Sequence, residues 1–142
     1  MGLTASVATA VAATVAGVSG MRGCSSVEVD SVPATPYGAV GLPSISVTPG
    51  MWENVNYTWP VRIFIARVAD GPRNAAAAYD LFDLLVAAFR LGIQEGLAAS
   101  GVCETLLESV DLNRFLTVGG EDYQMLDLKV TTKVARGVTY TA

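Results

Sequence analysis

The chain has 142 residues, 51% of them hydrophobic, with 13 acidic and 9 basic side chains, a formal net charge of −4 and no histidine. That length fits a single domain spanning residues 1–142 with enough material for a two-layer core. The missing imidazole removes the side chain most used for acid–base work and metal ligation near neutral pH, and the acidic balance, with no run of Lys and Arg, argues against specific nucleic-acid binding through phosphates.

Two cysteines, Cys24 and Cys103, suit neither a disulfide-dense secreted domain nor a zinc site. They read as idle thiols in a reducing cytoplasm. Residues 1–20 carry no charge and are rich in Ala, Val and Thr. A signal peptide wants a basic segment before its apolar run, whereas the first basic residue here, Arg22, follows it and stands beside the only cysteine that could mark a lipoprotein site. A membrane span is diluted by Thr4, Ser6, Thr9, Thr14 and Ser19. Leu3, Val7, Val11, Val15 and Val18 instead form one helical stripe. The expectation is an N-terminal helix laid on a sheet and closed by Gly17 and Gly20.

From Cys24 to Tyr57 the chain changes to short apolar alternations broken by proline and glycine. Val27, Val29 and Val32 predict one short extended piece, and Ser44 to Thr48, with Ile45 and Val47 on one side, predicts another. The stretch 33–43 between them reads as a long proline-rich loop. With no nucleophile or paired base nearby, it is expected to be an arm reaching a neighbouring subunit, with Pro33, Pro36 and Pro43 as candidate contact positions.

Trp59 to Ala69 is the clearest strand, with Val61, Ile63 and Ile65 on one side and Arg62, Phe64 and Ala66 on the other. Phe64 is a candidate for burial against another protomer. Asp70-Gly71-Pro72 stops the strand, and Asn74 caps a helix predicted over 75–100. Its apolar face carries Ala78, Leu81, Phe82, Leu85, Val86, Phe89, Ile93 and Leu97, opposite Asp80, Asp83, Arg90 and Gln94. Asp80 and Asp83 share a helix face, but acids near a helix start chiefly complement its dipole. After Gly101 a hairpin closes the chain. Its turn is Gly119-Gly120-Glu121-Asp122, and its return strand alternates Leu126, Leu128 and Val130 with Asp127, Lys129 and Thr131. Residues 135–142 lose the alternation and read as a short mobile tail or a strand completed by a partner.

The predicted fold is α+β: a mainly antiparallel sheet packed by a long central helix and an N-terminal helix. In this order the chain resembles the tail terminator proteins of long-tailed bacteriophages and their neck, or head-to-tail joining, relatives. The likeness is carried by the N-terminal helix leading to Leu42-Pro43 and Thr48-Pro49-Gly50, the strand from Trp59 to Ala69, the helix segment Tyr79-Asp80-Leu81-Phe82-Asp83-Leu84-Leu85, and the hairpin around Gly119-Gly120.

The resemblance implies a structural virion protein, present in the host cytoplasm during assembly. It would form a ring of six copies that terminates the tail tube and joins it to the connector. The implied partners are copies of itself, the tail-tube protein and the connector proteins, with DNA passing through the ring and no membrane involved. Glu53, Glu121 and Asp122 are then candidate lumen or subunit-contact positions, beside the ordinary reading of solvated turn charges. Two further readings stay open: a head-side completion or stopper protein, and a membrane-anchored bacterial protein using residues 1–20. No enzyme is expected, since Cys103 has no histidine to activate it and no acid pair falls in an evident pocket. No cofactor or metal is expected.

Overall fold

The computed structural model describes residues 3–48, 52–68, 75–91 and 102–137. The elements are α1 (Leu3–Ala16), β1 (Cys24–Ser25), β2 (Tyr37–Val40), β3 (Ser44–Thr48), β4 (Trp52–Arg67), α2 (Ala75–Leu91), β5 (Val102–Val118) and β6 (Glu121–Gly137). Both helices and one mixed layer of strands are therefore present. Among the described residues the six strands form one sheet in the order β1-β2-β4-β6-β5, with β3 also paired to β4. β2 and β3 lie end to end on one edge of β4, pairing with Val61–Phe64 and Asn54–Thr58 respectively, while β6 runs along its other edge. These pairings and that of β5 with β6 are antiparallel; β1 with β2 is parallel.

α1 carries its valine stripe as the spacing predicts. Val7, Val11 and Val15 are fully buried and Val18 nearly so. The helix stops where Gly17 N–H still bonds the Ala13 carbonyl, and Gly20 turns the chain at φ 90°. α1 lies over β1 and β2, and the approach is close: a Cβ on Gly38 would sit 2.8 Å from Cys24 Sγ and 3.2 Å from Val15 Cγ1. Glycine at that position lets the helix reach the sheet. α2 buries Ala78, Leu81, Leu85 and Phe89 and leaves Asp80 and Asp83 in solvent, as its periodicity predicts, while Phe82 and Val86 of the predicted apolar face are only half-buried. It rests against β5 and α1.

The helices cover one face of the sheet. Tyr57, Trp59, Val61 and Ile63 of β4 and Leu126, Leu128 and Val130 of β6 are all essentially buried there. At the middle of this layer the Trp59 indole N–H donates to Thr132 Oγ1 at 2.9 Å, satisfying a donor that burial would otherwise strand. Tyr57 stacks on Trp59 at a centroid distance of 5.4 Å, and its hydroxyl lies 3.0 Å from Thr4 Oγ1. The β5–β6 turn is Gly119-Gly120, at φ 60° and 83°. Two positive φ values in succession are what a tight type I′ hairpin demands, and glycine meets them without strain.

Several expectations need correction. The segment 33–43 is not one loop: Tyr37–Val40 is a strand inserted between β1 and β4, with Ala39 and Val40 buried. Short strands broken by glycine carry little periodicity, so pairing with β4 rather than local pattern places this one. Val27 is exposed and the segment around it is not a strand; the extended piece lies earlier, at Cys24–Ser25. β4 begins at Trp52, ahead of the predicted Trp59. A bulge between Phe64 and Ala66 shifts the phase, so Ala66 packs toward the helices rather than beside Phe64. Residues 135–137 belong to β6, pairing with Trp52–Asn54, and are not tail. The predicted stop at 70–72, the Asn74 cap, the helix beyond Leu91 with Ile93, Gln94 and Leu97, Gly101 as its end, and the tail at 138–142 lie outside the described residues.

Leu85 is fully buried in the middle of α2. Leu85→Ala should therefore cost about 2–5 kcal/mol in chemical denaturation. Thr105 Oγ1, opposite Thr132 in the β5–β6 ladder, is buried without a hydrogen-bond partner. Thr105→Val removes that stranded hydroxyl at nearly constant volume and should raise stability by about 1 kcal/mol in the same assay.

Candidate functional site

The sheet face away from the helices divides into an apolar half and a polar half. At the hairpin end, Phe64, Ala39, Tyr123 and Met125 form a second buried cluster, with Leu116 and Val118 of β5 packed against it. Phe64 meets Tyr123 edge-on at 5.6 Å. The irregular segment 26–36 lies across this cluster as a strap, contributing Val29 and Val32. It is tied down by the Arg22 amide donating to the Pro36 carbonyl at 2.8 Å and by an exposed ion pair, Arg62 to Glu28, at 3.9 Å. Its Asp30 carbonyl passes close enough to Gly119 that a Cβ there would stand 3.1 Å away. An exposed pair of this kind contributes at most about 1 kcal/mol, so the strap is held chiefly by its apolar contacts.

This arrangement overturns one expectation directly. Phe64 is 2% exposed and covered by its own chain, so it is core and not an inter-subunit contact. Its signal was visible as an aromatic in the polar phase of a strand, but what would cover it was not. Pro33 is exposed on the strap, and Pro36 and Pro43 are half-buried. Pro36 follows a cis Thr35–Pro36 bond just before β2, and Pro43 lies between β2 and β3. The three prolines therefore do not mark one mobile arm.

Glu121 and Asp122 stand exposed at the hairpin tip, where Thr117 Oγ1 donates to Asp122 Oδ1. Glu53 occupies the opposite end of the sheet, paired in register with Arg136. At about 3.3 Å per strand residue, the length of β6 between these positions is roughly 50 Å. The structure thus brings Glu121, Asp122, Pro33 and the Phe64 cluster to one end of the molecule and leaves Glu53 at the other.

The polar half holds a groove of about 370 Å³ lined by Leu42, Ser44, Thr58, Pro60, Ser109, Asp111, Arg114, Asp127 and Lys129. Asp111 and Asp127 face each other in the β5–β6 register, a juxtaposition of like charges that disfavours pairing. Arg114 offsets it, with Nε 3.2 Å from Asp111 and 3.8 Å from Asp127. Asp127 was expected on the wet face of the return strand, but its grouping with Asp111 and Arg114 was not anticipated, because bulges in β5 between Leu107 and Ser109 and between Asp111 and Arg114 break its alternation. The groove is open, and Arg114 is shared between its two aspartates.

Cys24 lies under α1, and burial pushes its thiol up to about 12 from 9.0. A thiol so displaced stays protonated near neutrality and is a poor nucleophile. Among the described residues there is no group of three or more His, Cys, Asp or Glu side chains able to hold a metal ion. No family model matches this chain, and no curated protein matches it in sequence.

In the native protein Cys24 should resist a thiol reagent at pH 8, with mass mapping used to separate it from Cys103, and should react promptly once the chain is unfolded. Because the folded state keeps its proton to higher pH than the unfolded state does, this group favours folding fully below pH 9 and ceases to do so between about 9 and 12. Cys24→Ala should flatten that part of an alkaline unfolding curve.

Proposed function

We propose that this chain is a structural virion subunit of the tail-to-head junction of a long-tailed bacteriophage, acting in a ring that terminates the tail tube and joins it to the connector. The proposal takes the sheet as mainly antiparallel, with α2 as its long central helix. The observation that supports it best is the distribution of the fold's surfaces. One face of a long sheet is closed by helices, the other holds a polar groove, and among the described residues the outer strands β1, β3 and β5 leave open edges beside an exposed acidic hairpin tip. Such a subunit offers extended surfaces to neighbours rather than an enclosed chamber in which water-sensitive chemistry would run. Glu121 and Asp122 suit a lumen position, since carboxylates there would not hold passing phosphates.

On the tail side the partners are the tail-tube protein and further copies of the chain; on the head side, as a completion or stopper protein, they are connector components. The membrane-anchor reading is less well supported. No helix among the described residues is long and apolar enough to cross a membrane, and α1, about 21 Å long at 1.5 Å per residue, commits its valines to the sheet.

The test is made in assembled particles, because ring subunits of this kind can be monomeric when isolated. Cryo-electron microscopy of tails bearing the labelled chain should place six copies in a closed ring at the junction. Density for one isolated copy per particle, or for none at the junction, would reject the proposal.

A further inference from the structure

We infer that the open edge of β3 is a self-pairing surface, and that its partner is β3 of a second copy of this chain, aligned antiparallel about Ser46. β3 uses only one edge, against β4; its other edge carries no strand among the described residues. Edge strands of monomers are ordinarily kept short or blunted by charge, proline or a bulge. β3 is short and flanked in sequence by Pro43 and Pro49, but within it Ser-Ile-Ser-Val-Thr carries no charge, proline or bulge, and its register with β4 is uninterrupted.

The strand also exposes apolar surface. Ile45 and Val47 stand on one face at 53% and 54% exposure. Neither is needed for the core, and each leaves a β-branched side chain in water that a neighbouring strand would cover.

The sequence of β3 is complementary to itself. Centring the pair on Ser46 sets Ile45 opposite Val47 of the second copy and Val47 opposite its Ile45, which are favourable β-branched cross-strand pairs on one face. On the other face Ser46 meets Ser46, and position 44 meets position 48, so hydroxyl-bearing residues face one another. No charge opposes a like charge. Of the other outer strands among the described residues, β1 has two residues and β5, the longer, fits this role poorly. It carries Glu108, Asp111 and Arg114 and three register shifts, so a straight ladder along it is interrupted and self-pairing would juxtapose like charges. The inference does not depend on the ring reading, since an isologous contact of this kind is a twofold association. It would hold for a subunit outside the virion as well as within one.

The experiment uses the full-length chain. Sedimentation over a range of concentrations should show a monomer–dimer equilibrium. Ile45→Lys with Val47→Lys places four ammonium groups across the pair and should weaken the dimer at least about tenfold, or ~1.4 kcal/mol. Ile45→Lys with Val47→Glu sets each lysine opposite a glutamate of the second copy and should dimerise clearly better than the double-lysine chain, with circular dichroism checking that both remain folded.

A second arm covers the case in which the charged variants do not fold. Directly opposed residues of an antiparallel pair have Cα atoms about 4.5–5.5 Å apart, within disulfide range. Under oxidised glutathione, Ser46→Cys should form a covalent dimer at least about tenfold faster than Ser44→Cys or the unsubstituted chain. A wild-type chain that stays monomeric at the highest concentration, a dimer indifferent to the double-lysine change, equal loss in both charged variants, or equal cross-linking at 44 and 46 would each overturn the inference.

Discussion

The ladder between β4 and β6 is the constraint on which the other elements depend. It runs from Trp52 paired with Gly137 to Arg67 paired with Tyr123, interrupted by one bulge. Because side chains alternate faces, its register decides which residues of both strands meet the helices together, and a slip of one residue would turn the apolar set of one strand, Trp59 and Val61 or Leu126 and Leu128, away from the helices that cover the other. The Trp59 to Thr132 hydrogen bond reinforces that register. It joins two buried groups on adjacent strands, and a shifted pairing would leave both unpaired. β2 and β3 then attach to the one edge of β4 that remains, and β5 to the free edge of β6.

The two faces of this ladder are closed by different means. Toward the helices, closure comes from regular elements whose apolar stripes match the sheet in period, and Gly38 allows α1 to approach closely. On the far side, only the hairpin end is covered, and by irregular chain. The strap offers Val29 and Val32 to Phe64, Tyr123 and Met125, but few backbone hydrogen bonds. Beyond the strap the same face is polar, so exposure of Asn56, Thr58, Lys129 and Thr131 costs nothing in buried polar surface. The change from apolar to polar along one face sets where the strap can end.

Electrostatics are confined to the surface. Among the residues whose burial is described, the charged side chains are exposed or half-exposed, and the buried polar residues are Gln124 and Thr132. The interactions that shape a surface of this kind are short-ranged and local, such as Arg114 between Asp111 and Asp127, and salt weakens them. What distinguishes the molecule is therefore the placement of its edges and faces, which is where both the junction proposal and the β3 inference are founded.

Periodicity alone determined much of this protein. The valine stripe of α1, the buried face of α2, the alternation of Leu126, Leu128 and Val130, the Ile45 and Val47 strand and the glycine turn at 119–120 follow from side-chain spacing and backbone preference, which act over a few residues. Other features needed the tertiary structure because they depend on partners distant in sequence. Tyr37–Val40 is a strand because β4 has a free edge beside it; Phe64 is core because the strap folds back over it; and Ala66 changes sides because a bulge precedes it. The candidate contact positions divide in the same way. Local sequence could mark Glu53, Glu121 and Asp122 as charges, but only the strand register sets Glu53 at the opposite end of the sheet from the other two. Local pattern records which face of an element is apolar, whereas the tertiary fold decides what, if anything, covers it.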